Sequence, residues 1–149
     1  MKIDQFAIGF EDSHVSDGRE ALGHIRIGEF SERFPVVLGY WDRATYLRHW
    51  REALSRLVGG EPRIGLPTRM IPPNSLDHAT AWILYREGKR VFVQERIFVG
   101  PASRPAFDDH EHLLGIEPRT TSSEDGAPIS EWSTNLSSIE DFLNNDRDA

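Results

Sequence analysis

The chain has 149 residues, a formal net charge of −7, eight Phe, four Trp and three Tyr, and no cysteine. That length suits one domain spanning residues 1–149 that buries roughly two-thirds of its unfolded surface, and the missing cysteine excludes disulfides, thiolate zinc sites and cysteine nucleophiles. No apolar run approaches the roughly 20 residues that cross a bilayer, and Met1-Lys2-Ile3-Asp4-Gln5 is too polar for a signal peptide, so a soluble, cytoplasmic protein with no membrane partner is expected.

Ile3 to Phe10 reads as a first strand, with Phe6, Ile8 and Phe10 toward the core. Ser13 to Gly18 reads as a turn, Leu22 to Ile27 as a second strand, and Phe30 to Leu38 as a third whose Pro35 demands an edge or a bulge. A helix follows. Asp42 stands at its N-cap, Tyr46, Leu47, Trp50, Leu54 and Leu57 recur at three- and four-residue steps, and Gly59-Gly60 ends it. This aromatic stripe is core, not a binding site. Pro62 and Pro67 limit Glu61 to Ile71 to a short strand at most.

Ala79 to Tyr85 and Arg90 to Val99 form a hairpin that turns at Gly88, and their near-continuous aromatic and β-branched content predicts a central position with both faces partly covered. Trp82 and Phe92 lie deep in that pattern. From about residue 100 to 128, prolines, glycines and acids alternate, with room for a short helical turn from Phe107 to Leu114. An irregular stretch of this length is functional or mobile. Ile129 to Ser133 reads as a last strand, and Ser137 with Glu140 as a capping box for a helix carrying Ile139, Phe142 and Leu143. The tail 144–149 is expected to fray. The fold class is therefore α+β.

Charge is unevenly placed. Residues 1–106 hold 15 Lys and Arg against 13 Asp and Glu, whereas residues 107–149 hold 2 against 11. An acidic third repels phosphate, which disfavours nucleic acid as a partner, and it attracts a basic protein. The chain has no phosphate-binding glycine loop and no nucleophile elbow. Asp108-Asp109-His110-Glu111-His112 is the one metal-like cluster, and without a second spaced pair it reads as an exposed acidic loop. Neither metal nor cofactor is expected, and His49 reads as a satisfied surface histidine. The chain is expected to work by binding and not by catalysis.

Three segments carry a resemblance: Leu38-Gly39-Tyr40-Trp41-Asp42 with Tyr46, Trp50 and Leu54, the hairpin from Ala81 to Gln94, and Ile129 to Leu136 with Ile139 and Phe142. In order and spacing they resemble the CdiI immunity proteins of contact-dependent growth inhibition, in the branch that neutralises a ribosomal-RNA-cleaving toxin. The resemblance covers residues 36–99 and 119–143 and is weak over the first 35 residues and over 100–118. It implies a non-enzymatic inhibitor of a cognate toxin C-terminal domain, a basic nuclease. It also implies a Whirly-like fold of curved antiparallel sheets packed with two helices. Trp41, Trp50, Trp82, Tyr85, Phe92 and Trp132 then read as fold determinants. Combined with the charge asymmetry, the resemblance nominates Asp108, Asp109, Glu111, Glu117, Glu124 and Asp125 as the surface that covers the toxin. The alternative is a single-stranded nucleic-acid binder that uses Arg86, Lys89, Arg90 and Arg96 around Phe92.

Overall fold

A computed structural model describes residues 5–11, 19–72, 75–99 and 116–146. The strands are β1 (Phe6–Phe10), β2 (Glu20–Ile27), β3 (Phe30–Val37), β4 (Arg63–Arg69), β5 (His78–Glu87), β6 (Arg90–Val99) and β7 (Trp132–Asn135), with helices α1 (Arg43–Val58) and α2 (Leu136–Asp146). They form one seven-stranded sheet in chain order, antiparallel except where β3 meets β4. That junction is the single pair Val37 and Arg69, so the antiparallel blocks β1–β3 and β4–β7 hinge on one point.

Local chemistry accounts for most elements. Two-residue turns join β2 to β3 and β5 to β6, and Gly28 and Gly88 adopt φ of 62° and 63° at their first positions. The Asp42 carboxylate accepts from the Thr45 N–H at 2.9 Å and caps α1. Pro35 stands on β3 away from its one contact with β4, so the missing N–H faces an open edge as expected.

The inner face of the sheet holds an aromatic wedge. Trp82, Trp50 and Tyr46 are fully buried, and Phe34 touches both indoles, with ring centroids 6.5 Å from Trp50 and 5.8 Å from Trp82. A Cβ on Gly23 would come within 2.7 Å of the Phe34 ring, so glycine is what lets that ring lie flat on β2. The ends of the sheet curl together: Phe30 stacks on Trp132 at 4.1 Å, Phe6 meets Phe142 at 5.7 Å, and the Thr134 hydroxyl donates to the Gln5 carbonyl. The helices touch where the Arg51 guanidinium donates to the Leu143 carbonyl.

Several expectations need correction. Leu47 is exposed, and Ala53 completes the buried stripe of α1. Strand β4 is seven residues long and includes Pro67, because the register shifts between Pro67 and Arg69 and the proline carbonyl accepts the Trp50 indole N–H. Strand β7 begins at Trp132, later than the alternation of Ile129 to Ser133 suggested. The cap of α2 is Asn135, whose amide oxygen accepts from the Ser138 N–H at 2.8 Å, and not Ser137. Helix α2 continues through residues 144–146 of the expected frayed tail. Phe92 is half-buried and not deep. The turn at 13–18, the helical turn at 107–114 and residues 147–149 lie outside the described residues. Among those described, no helix is long and apolar enough to cross a membrane.

Candidate functional site

The outer face of the β5–β6 hairpin carries the candidate surface. Residues 116–131 cross this face, and the chemistry that holds them there is polar. Arg119 lies over the Phe92 ring with its guanidinium carbon 3.7 Å from the centroid. Its fork donates to Glu131 at 2.6 and 2.8 Å and to Glu87 at 3.1 Å. The fully buried Gln94 amide donates to Glu131 and to the Thr120 carbonyl, and its oxygen accepts from Arg96. Every polar atom of that buried amide is therefore engaged. Nearer the start of the segment, the Tyr85 hydroxyl donates to the Glu117 carbonyl, and Ile116 is buried in the core.

The electrostatics follow from this wiring. The Arg119 hydrogen bond, with a second from Gln94, holds the Glu131 carboxyl below its usual range against a desolvation cost, and the pair raises the Arg119 guanidinium. Burial pushes the Tyr85 phenol up.

Beyond this staple the segment folds back on itself. Ser122 bridges to Pro128, Ile129 N–H donates to the Thr121 carbonyl, and Gly126 turns the chain at φ 83°. Glu124 and Asp125 sit at the exposed tip of that turn, and Glu117 is exposed near its base. Of the six acids nominated from sequence, these three therefore share one short segment. Asp108, Asp109 and Glu111 lie outside the described residues, as do His110 and His112.

Three of the four cations of the alternative site are engaged in the fold, and Lys89 is exposed at the hairpin turn. Arg86 donates to the Leu57 and Val58 carbonyls at the end of α1, and Arg90 donates to the Ser133 hydroxyl. Arg96 is tied to Gln94, and the Phe92 face is covered by Arg119. His49 packs against Trp41 at 4.4 Å. Sequence reasoning passed over Arg119, Gln94 and Glu131. One signal was available, since Arg119 is one of only two cations in an acidic stretch of 43 residues, 107–149.

The chain is similar to known proteins over most of its length. The family model of the CdiI N-terminal domain matches residues 36–142. The chain belongs to the CdiI family. A relative named immunity protein CdiI, from Enterobacter cloacae subsp. cloacae, is 32% identical over 124 residues, which is 81% of this chain and 85% of the relative. A solved structure, the CdiA-CT/CdiI toxin and immunity complex from Enterobacter cloacae, contains a chain 28% identical with a TM-score of 0.81, covering 97% of this chain and 100% of that one. The CdiI match continues through residues 100–118, where the resemblance read from sequence was weak, and it leaves the first 35 residues outside.

Proposed function

We propose that this CdiI protein is an immunity protein that binds a cognate CdiA C-terminal toxin domain and neutralises it by covering its active-site region. One observation carries the reading: a chain of the same fold, at TM-score 0.81, is half of a toxin and immunity complex. The protein acts in the cytoplasm as a single domain, by occupying a surface and without turning over a substrate. Its target is a basic nuclease of the ribosomal-RNA-cleaving kind, because a face that binds RNA is positive and an acidic inhibitor competes there with the phosphates.

Glu117, Glu124 and Asp125 supply one part of the covering surface, with Asp108, Asp109 and Glu111 beside them in the chain. The Arg119 staple supports this assignment: it holds the acidic turn to the hairpin, so less ordering entropy is lost on binding. The test is co-expression with the toxin domain encoded beside it, scored by survival and co-purification. Rescue with a stable complex is the expected result. Charge reversal at Glu124 and Asp125 should slow association severalfold and flatten its salt dependence, without changing the melting temperature. Unchanged association would move the interface elsewhere. The Whirly-like reading, in which such a fold binds single-stranded nucleic acid, predicts retention of oligo-dT on a filter at low salt.

A further inference from the structure

The inner face of the sheet also carries charge: Glu32 is half-buried there and Glu95 is exposed. Along β6 the inward side chains are Val91, Val93, Glu95, Ile97 and Val99, because Glu95 lies in register with Trp82. Strand β7 pairs only with Arg90 to Val93, and over that stretch the inward valines are fully buried. Beyond it the same face opens, leaving Ile97 65% and Val99 76% exposed.

Across the opening stands β3. Phe30, Glu32 and Phe34 share its inner face, Phe30 stacks on Trp132, and Phe34 meets Trp82. Glu32 is therefore held between two rings that both touch the β5–β7 block, and it faces Glu95. The strands do not close this gap, because β3 and β4 are joined at one residue pair. Among the described residues neither carboxylate has a hydrogen bond or an ion pair. Burial, and then the Glu32 charge, push the Glu95 carboxyl up. Two facing carboxylates with no cation between them among the described residues repel one another. Their neighbours Ile97 and Val99 add exposed apolar surface.

We propose that the open inner face between β3 and the far half of β6, carrying Glu32, Glu95 and Ile97, seats a basic segment of the toxin. The occupant is a lysine or arginine flanked by apolar residues. Its charge fills the gap between the two carboxylates, and its neighbours cover Ile97. This inference rests on the immunity reading. It names a surface on the opposite face of the hairpin from the acidic turn, so the two make separate predictions.

The experiment compares wild type, the double variant Glu32→Gln with Glu95→Gln, and Ile97→Ser, by titration against the purified toxin domain and by thermal melting alone. The double variant should melt at the same or a higher temperature, because a like-charge repulsion is removed, yet bind at least about tenfold more weakly. Ile97→Ser should bind about fivefold more weakly with an unchanged melt. A double variant that binds like wild type, while wild type binds tightly, overturns this surface and leaves the immunity function standing. Failure of wild type to bind overturns the immunity reading itself. If Mg²⁺ or Ca²⁺ alone raises the melting temperature of wild type and not of the double variant, the carboxylates hold an ion, and the proposal is overturned.

Discussion

On its inner face the β5–β6 hairpin is held by rings: Trp82 is fully buried against Phe34 and Trp132, with Leu84, Val91 and Val93 around it. On its outer face it is held by a polar staple, in which Arg119, Glu131 and Gln94 pin residues 116–131 over Phe92. Apolar packing is non-directional and scales with area, so it supplies most of the stability. Hydrogen bonds add less net energy but fix geometry, which suits a segment that presents charge to solvent.

Two substitutions and an acid titration test this division of labour. Trp82→Ala should have the largest effect, about 3–5 kcal/mol of destabilisation in a denaturant melt, because a fully buried indole leaves a cavity between the two strand blocks. A small loss would mean that the wedge collapses easily and the inner face is not dominant. Arg119→Ala should cost about 1–2 kcal/mol, since its bonds are charge-assisted but partly open to water. It should also weaken toxin association more than that loss predicts, because the acidic turn is released.

The smaller test is acid response, which has opposite signs on the two faces. The Glu131 carboxyl is lowered in the folded protein, so its pairing contributes stability above the usual carboxylate value and loses it as pH falls through the folded value. The Glu95 carboxyl is raised, so its charge costs stability once pH exceeds the folded value, and acidification relieves that cost. Urea melts between pH 7 and pH 3 should therefore show Glu131→Gln losing less stability than wild type on acidification, and Glu95→Gln losing more. Parallel curves for both variants would show that neither carboxyl is perturbed by folding.

Much of the fold could be read locally. Helix α1 was legible because its apolar residues keep a helical period between Asp42 and the paired glycines, and the hairpin was legible because Gly88 interrupts two runs of strand formers. Strand β4 was misjudged because prolines argue against strands, whereas Pro67 sits at a register shift that removes the objection. The cap of α2 was misplaced by two residues: Ser137 and Asn135 both suit a cap, and only the path of β7 selects the asparagine.

The candidate site divides in the same way. That the last third is acidic is a property of composition, and so is the attraction for a basic partner. Glu131 and Glu124 look alike in sequence, yet one is bound to Arg119 and the other stands at a turn tip. Glu32 and Glu95 are far apart in the chain and share the inner face because Phe30 and Phe34 pack on Trp132 and Trp82. Periodicity, caps, turns and net charge depend on neighbours within a few residues, so the amino-acid order determines them. Which carboxylate is paired, buried or exposed depends on how strands distant in sequence cross, and only the tertiary structure decides that.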